Sequence, residues 1–209
     1  MKIEKQSVSV IWVTPDPEKA IEQAGRTCYK SEDKITDSSA ARFAEQMTTT
    51  GHHAMIEHAS ASLRIITDRG ISHEIARHRL ASYAQESTRY CNYSKDKFDN
   101  GIMVICPPGI AESPHYEAWY AVCELTESVY LSMIHYGIKP EIARSALPTC
   151  LKTEIVMTAN FREWRHFIQL RGSKAAHPQI REIARGCLNL LMGYAPNVFG
   201  DLVGLFDWS

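Results

Sequence analysis

The chain carries almost no net charge and has no long apolar run. Its 209 residues sum to a formal charge of −1 at pH 7. A general nucleic-acid coat or a protein held on an anionic membrane is normally much more basic. A membrane-spanning helix needs roughly 20 apolar residues, and no stretch approaches that length. The sequence therefore predicts no nucleic-acid partner and no membrane partner, and any anion site must be a local cluster of arginine.

Paired cysteines are also lacking. The six cysteines include no C-x-x-C pair, and the segment beginning Met1-Lys2-Ile3-Glu4 lacks the apolar core of a targeting sequence. Cysteines without an export signal are normally reduced thiols. We therefore expect a cytoplasmic protein.

A recognisable set of metal ligands is missing as well. Residues 51–58 hold three histidines and one glutamate, which could form a metal site or a polar turn whose histidines bond to the backbone. No cysteine lies near them, and no further ligand set with recognisable spacing follows. His73 and His78 lie about 140° apart on a helix, whereas the zinc-protease motif stacks its histidines on one face. We predict no bound metal.

Patterns of apolar residues predict strands and helices in mixed order. The predicted strands cover residues 8–13, 59–67, 102–106 and 151–157. The predicted helices cover residues 18–29, 39–48, 114–136, 140–146, 161–171 and 178–192, and a further helix after Gly70 carries Arg77 to Arg79. Without repeats or linkers, this order predicts a single α+β domain over residues 1–209.

Three helices carry more specific expectations. Ser113 is a predicted N-cap, and Asn160 with Glu163 resembles a capping box. The long helix from 114 has one apolar face at helical spacing, typical of a core-facing side. That face consists of Ala118, Val122, Leu125, Val129 and Met133. In the helix after Asn160, one face is apolar core and the opposite face would ordinarily be solvent-exposed. The apolar face holds Phe161, Trp164 and Ile168, and the other holds Arg162, His166 and Gln169.

The richest run of functional side chains lies between Arg77 and Tyr90. Its fourteen residues include three arginines, one histidine, two serines, two tyrosines and one acid. Arginine forks suit phosphate and carboxylate oxygens, and hydroxyls can complete a phosphate cradle. Consecutive residues such as Arg77, His78 and Arg79 diverge on a helix, so they reach one ligand only if the helix ends there or two ligands approach. The alternative is a partly exposed basic helix end.

Two further residues have two interpretations each. Arg144 lies in an otherwise apolar short helix, so it is either paired with a ligand or snorkels to solvent. Ser87 could be a nucleophile if a base lay within hydrogen-bond reach. We favour Ser87 as a ligand of phosphate or of a backbone amide.

The basic run resembles the signature of the flavin-dependent thymidylate synthases. That family carries Arg-His-Arg, seven residues, then Ser, with Arg-Tyr shortly after; here these are residues 77–79, 87 and 89–90. Other blocks resemble the family in the same order between Gly51 and about Arg181. They are a Gly-His segment ending in Glu57-His58, a segment ending in Leu147-Pro148, and the helix after Asn160. The resemblance implies a small, mostly antiparallel sheet flanked by helices.

Carried over position by position, the resemblance also implies the binding residues. Contacts to FAD fall on His52, Arg77, His78, Arg79, Gln85, Asn160, Arg162 and His166. Contacts to dUMP fall on Glu74, Arg77, Gln85, Glu86, Ser87, Arg89, Arg144 and Arg171. Arg89 would bind the phosphate. Arg171 would be catalytic, because it would face the uracil and favour ionisation at its ring nitrogen.

The implied reaction is the reductive methylation of dUMP to dTMP. 5,10-Methylenetetrahydrofolate would supply the carbon, and FAD reduced by NADPH would supply the hydride. Family members are homotetramers with shared active sites, which implies a homotetramer here. The classical thymidylate synthases use a cysteine nucleophile, but the surroundings of Cys150 do not resemble their active site.

Two other functions stay open. A nucleotide- or RNA-binding module without catalysis would use the arginine and tyrosine run, and its binding would depend strongly on salt. A different flavoenzyme acting on a related pyrimidine would set Arg171 and Ser87 against another ring.

Overall fold

The computed structural model describes residues 1–206, which form an α+β fold, as the sequence predicts. Strands in this part are β1 (Lys2–Glu4), β2 (Ser7–Val13), β3 (Ser60–Asp68), β4 (Ala81–Gln85), β5 (Met103–Ile105) and β6 (Lys152–Asn160). Helices are α1 (Pro17–Tyr29), α2 (Ser39–Thr49), α3 (Arg69–Ile75), α4 (Tyr116–His135), α5 (Pro140–Ala143), α6 (Phe161–Gly172), α7 (Pro178–Met192) and α8 (Pro196–Phe199).

The small, mostly antiparallel sheet flanked by helices is confirmed. Its four strands have the order β2-β3-β6-β4, and a separate parallel pair joins β1 to β5, with Lys2 opposite Met103. In β6 every second residue is buried, including Thr153, Ile155 and Met157. This period of two is what a pleated strand imposes, and it agrees with the alternation predicted for residues 151–157.

The chain comprises two compact units. Unit 1 consists of Met1–Ser7, Ile66–Arg77 and Ala84–Ile155. Unit 2 consists of Val8–Ile65, His78–Tyr83 and the described chain from Val156 onward. The single domain over residues 1–209 stays a prediction.

Unit 1 has its core around Tyr130 of α4. The buried side chains there are Tyr93, Ile102, Val104, Cys123, Tyr130, Ala143 and Leu151. The rings of Tyr93 and Tyr130 lie 5.8 Å apart, and the Tyr93 amide donates to the Tyr130 hydroxyl at 3.3 Å. The buried phenol therefore keeps a hydrogen-bond partner, as a buried polar group requires.

Unit 2 has its core between α6 and α7. Phe161, Trp164 and Ile168 are fully buried, which confirms the apolar face predicted for this helix. Leu188 of α7 is buried as well. The indole nitrogen of Trp164 donates to the carbonyl of Ala61 at 3.1 Å, so its one donor is satisfied inside the core.

The predicted buried face of α4 is wrong. Val122, Leu125 and Val129 are 57%, 63% and 42% exposed, whereas Cys123 and Tyr130 are buried. This helix has apolar residues on several sides, so periodicity alone did not identify the side that packs in unit 1. No helix among residues 1–206 combines the length and the apolar content that crossing a bilayer requires.

The predicted N-cap of α4 is also wrong. The helix begins at Tyr116, and the cap position is His115. Ser113 lies further upstream, where its Oγ accepts a hydrogen bond from the His115 amide at 3.2 Å. A serine followed by proline suits this local turn as well as it suits a helix start.

The six cysteines are free thiols. The sulfur atoms of Cys123 and Cys150 nevertheless lie 3.6 Å apart in unit 1. Burial raises the pKa of the Cys150 thiol to about 12, with the neighbouring Cys123 as the next cause. Burial also raises the pKa of Cys123. Both groups are therefore protonated at neutral pH.

Unit 2 contains one buried arginine whose charge is compensated. Arg165 of α6 is 4% exposed. Its guanidinium donates to both carboxylate oxygens of Asp201, at 2.6 and 2.7 Å, and also to the carbonyl of Val198. A bidentate pair of this kind is the geometry in which a buried guanidinium is tolerated.

We predict that Asp201→Ala destabilises the protein by about 2 kcal/mol, because it leaves the buried Arg165 charge without its 44% exposed counter-ion. Urea unfolding followed by circular dichroism would measure the loss. Lys2→Ala is the control, since it removes an ion pair whose lysine is 62% exposed, and it should cost less than about 1 kcal/mol. Equal losses in the two variants would contradict the assignment.

Candidate active site

The basic run begins where a short helix stops. Helix α3 starts at the cap residue Asp68, whose carboxylate accepts from the Ile71 amide at 2.7 Å, and it ends at Ile75. The prediction that this helix carries Arg77 to Arg79 is therefore wrong. Beyond the helix end the three side chains separate, with His78 buried and both arginines exposed.

In unit 1, Gln85 and Glu86 are held by protein groups. The side-chain nitrogen Nε2 of Gln85 donates to the hydroxyls of Ser72 and Thr153 at 2.8 and 3.2 Å. The Glu86 carboxylate accepts from the Tyr93 hydroxyl at 2.8 Å and from Lys152 at 3.3 Å. These bonds fix both side chains before any ligand arrives.

The next residues present an exposed basic turn. The Ser87 hydroxyl accepts from the Arg89 amide at 3.3 Å. Thr88 is buried, and its hydroxyl accepts from the Arg144 guanidinium at 3.3 Å. Arg89 itself is exposed and lies over the Tyr90 ring at 5.5 Å. The structure thus brings Arg144 and the 87–90 turn, which are far apart in sequence, into one part of unit 1.

A cavity of about 500 Å³ opens beside this turn, and Arg144 lines it. Its other polar lining residues are Arg69, His73, Thr88, Glu141, Ser145 and Thr149. Arg69 also donates to the Glu86 carbonyl at 3.3 Å. Its lining includes two arginines and three hydroxyls, which are donors of the kind that bind an oxyanion, against a single carboxylate, that of Glu141.

In unit 2, His78 lies between an acid and an arginine. Its Nδ1 is 3.2 Å from the Glu163 carboxylate, and its Nε2 is 3.2 Å from Nε of Arg171. Guanidinium groups only donate, so Nε2 must accept from Arg171. The proton of the neutral ring then lies on Nδ1 and is donated to Glu163.

The environment keeps this imidazole uncharged. Burial lowers the pKa of His78 to about 4, and the positive charge of Arg171 contributes next. Tyr83 donates to the backbone carbonyl of His78 at 2.6 Å. Burial, together with the charge of Glu163, raises the pKa of Tyr83 to about 12, so the phenol stays a donor.

The other histidine and arginine positions of unit 2 form a more open surface. His52, Arg79, Arg162 and His166 are exposed. Arg162 pairs with Glu57 at 2.6 Å, and both side chains are substantially exposed. The Asn160 side chain accepts from the Glu163 amide at 2.9 Å, which confirms the predicted cap of α6.

A family model described as thymidylate synthase complementing protein matches residues 9–197 of the chain. A flavin-dependent thymidylate synthase of Geobacter sulfurreducens is 33% identical over 202 residues, covering 93% of this chain and 85% of that protein. One of Mycolicibacterium gilvum is 36% identical over 200 residues, covering 87% and 78%.

The chain belongs to the flavin-dependent thymidylate synthase family.

Solved structures of similar fold agree with this membership. A UMP/dUMP methylase PolB from Streptomyces cacaoi matches with a TM-score of 0.82 and 18% identity, covering 100% of this chain and 99% of that one. A flavin-dependent thymidylate synthase ThyX from Helicobacter pylori matches with a TM-score of 0.77 and 22% identity, covering 94% and 99%. At these identities the structures support the fold alone.

The two units of this flavin-dependent thymidylate synthase carry different parts of the set of binding residues that the family resemblance implies. Unit 1 contains Glu74, Arg77, Gln85, Glu86, Ser87, Arg89 and Arg144. Unit 2 contains His52, His78, Arg79, Asn160, Arg162, His166 and Arg171.

Two partners of His78 in unit 2 do not follow from the sequence. The sequence indicates Glu163 only as part of a capping box, and Tyr83 only as an aromatic residue of the basic run. Both contact His78 in the folded chain. No local signal marks Glu163 as a partner of His78, because an acid in the first turn of a helix is usually exposed.

The described residues also group His78, Glu163 and His166 at a spacing that a metal ion could use. This group differs from the histidine-rich segment that sequence analysis considered. Both ring nitrogens of His78 already take part in hydrogen bonds, and one of them faces the positive charge of Arg171. A cation at that nitrogen would meet direct repulsion, so the arrangement suits a hydrogen-bonded network better than a metal.

We predict that His78 makes the protein less stable as the pH falls from 6.5 to about 4. In that window the unfolded chain binds a proton on His78 that the folded protein does not bind, so the free energy of unfolding decreases. Urea unfolding at pH 7, 6 and 5 should show a smaller decrease for His78→Gln than for the wild type. His135 is exposed, so His135→Gln is the control and should lose stability with falling pH as the wild type does. The same loss of stability in His78→Gln would contradict the prediction.

Proposed function

We propose that this member of the flavin-dependent thymidylate synthases methylates dUMP to dTMP, with methylenetetrahydrofolate as carbon donor and NADPH as reductant. The relatives of 33% and 36% identity carry the name of this activity and match most of the chain. The observation that carries the proposal is the half-buried Arg171, whose guanidinium is held at Nε by an uncharged imidazole. A cation held in this way suits a ring that gains negative charge during the reaction.

The exposed donors of unit 2 fit a flavin dinucleotide. A pyrophosphate and a flavin ring can accept hydrogen bonds from cationic or neutral N–H groups. Such groups are offered by His52, Arg79, Arg162 and His166. We assign FAD contacts to these residues and to Arg77, His78, Gln85 and Asn160. FAD held by these residues and reduced by NADPH would supply the hydride for the reductive methylation.

The basic turn of unit 1 fits the nucleotide. We assign Arg89 and Arg144 to the phosphate oxygens, and the Ser87 hydroxyl and nearby backbone amides can complete the cradle. Glu74, Arg77, Gln85 and Glu86 complete the dUMP contacts. The hydrogen bonds that hold Gln85 and Glu86 reduce the loss of side-chain entropy on binding.

Arg171 is assigned the catalytic contact to the uracil. Its positive charge lowers the cost of removing the proton from the ring nitrogen and of holding negative charge on the ring. No protein nucleophile is needed in this scheme, because the hydride reaches the ring without a covalent enzyme adduct. Ser87 is therefore a binding residue.

We also propose a homotetramer with shared active sites. The support within this chain is the exposed apolar face of α4, which holds Val122, Leu125 and Val129. Contiguous apolar side chains on a helix surface mark a contact with another protein surface. A second copy of the same chain is the occupant that the symmetry of homo-oligomers favours. The free thiols are consistent with a cytoplasmic enzyme.

We expect purified protein to convert dUMP to dTMP with methylenetetrahydrofolate, NADPH and FAD, and to lose this activity when FAD is omitted. Arg171→Ala should retain flavin absorbance but lose at least about 100-fold in kcat, because one preorganised charge contact is removed. Product formation by chromatography and flavin content by absorbance are the measurements.

Parallel reactions with UMP separate the alternatives. Turnover of UMP in place of dUMP would support a flavoenzyme for a related pyrimidine. No product from folded, flavin-loaded protein would favour a nucleotide- or RNA-binding module. Full activity of Arg171→Ala would overturn the role of that residue.

We predict that Leu125→Glu reduces the mass of the assembly, because a carboxylate would be buried against another apolar face. Light scattering coupled to size-exclusion chromatography would show the change, with loss of activity if sites are shared. The control is Gln23→Glu, which adds the same charge at an exposed position of α1 and should leave the mass of the assembly unchanged. A wild-type mass for Leu125→Glu would show that this face is not part of the interface.

A further inference from the structure

Glu163 is a buried acid for which the proposed reaction has no direct role. It lies in the first turn of α6, where an exposed acid commonly interacts with the helix dipole. Its side chain is only 7% exposed, and burial raises the pKa of its carboxyl group. A carboxylate removed from water needs a compensating donor. The donor described for its Oε1 is Nδ1 of His78.

The His78 ring is constrained from several sides. Tyr83 holds its backbone carbonyl at 2.6 Å. The ring of Phe167 meets the imidazole edge-on at 5.0 Å, and that of His166 lies 5.4 Å away. This packing restricts the plane of the ring. The position of the single ring proton therefore decides whether Nε2 offers Arg171 a lone pair or an N–H.

Glu163 determines that position. A carboxylate accepts hydrogen bonds, so it favours the tautomer with the proton on Nδ1. The other tautomer would set an N–H on Nε2 against the N–H of Arg171, two donors at the 3.2 Å that separates these nitrogens. Arg171 would then have to rotate away, and the direction of its guanidinium fork would change.

We infer that Glu163 is a positioning residue for Arg171 that acts through His78. It fixes the imidazole tautomer that accepts from Arg171 Nε and thereby orients the rest of the guanidinium. The inference rests on the proposed function, in which that guanidinium meets the uracil ring. It also gives His78 a task inside the protein, in addition to its assigned flavin contact.

The test compares Glu163→Ala with Glu163→Gln. We expect Glu163→Ala to lower kcat at least about tenfold, in the range known for partners that orient an active-site group. The dissociation constant of dUMP, measured by calorimetry, and the flavin spectrum should stay close to those of the wild type. Glu163→Gln should recover much of kcat, because its amide oxygen can accept from Nδ1. Gln169→Ala, an exposed change on the same helix, is the matched control.

A double-variant series tests whether Glu163 acts through Arg171. In an Arg171→Lys background, Glu163→Ala should cause little further loss of kcat, because coupled residues are not additive. Additive losses, or a wild-type kcat for Glu163→Ala, would overturn the inference. A fall in thermal stability with unchanged kcat per folded enzyme would show a structural role only. If Glu163→Ala fails to fold, Glu163→Gln provides the test, together with a crystal structure that shows whether its hydrogen bond to His78 is broken. With that bond broken, a wild-type kcat would overturn the inference. With that bond broken, a lowered kcat would support the inference.

A readout without turnover separates this inference from the proposed function. Crystal structures of wild type and Glu163→Ala should show the 3.2 Å contact of Arg171 Nε with His78 Nε2 in the first and not in the second. Wild type that makes no dTMP but shows this difference would refute the proposed function and keep the positioning network. Active wild type with the contact unchanged in Glu163→Ala would refute the network alone.

Discussion

The end of α3 at Ile75 is the constraint on which the arrangement of the arginine and histidine residues depends. In a continuing helix, the side chains of residues 77, 78 and 79 would point about 100° apart from one to the next. Burying His78 would then fix the directions of both its neighbours as well. The early stop lets His78 turn inward while its two neighbours stay in solvent. Asp68 fixes the start of the helix through the hydrogen bond from the Ile71 amide.

Much of the fold could be predicted from local patterns. The bounds of β2, β3, α1, α2, α6 and α7 fall within two residues of the predicted ones, because each has a clear period and recognisable ends. Strand β4 was not predicted, since Ala81 to Gln85 has little apolar alternation and gains its place by pairing with β6. The buried side of α4 could not be predicted, because hydrophobic periodicity does not distinguish a face that packs in the core from an apolar face that stays exposed.

The candidate site was predictable as a list of residue types but not as a set of contacts. The resemblance to the family implied which arginines and hydroxyls belong together, and unit 1 does join Arg144 to the 87–90 turn. The bond from Arg171 to His78 links residues 93 positions apart, and nothing local in the sequence encodes it. Glu163 and Arg165 were hidden for another reason. A charged residue near a helix start is usually exposed, so their burial appears only when α6 is packed.

The close sulfur atoms of Cys123 and Cys150 have a practical consequence for anyone who handles the protein. Thiols react as thiolates, and burial holds both of these in the protonated form. An alkylating reagent can reach Cys123 only when unit 1 opens, because this residue belongs to its core. The rate at which Cys123 is alkylated therefore reports how often that core opens, without any added fluorophore or engineered probe.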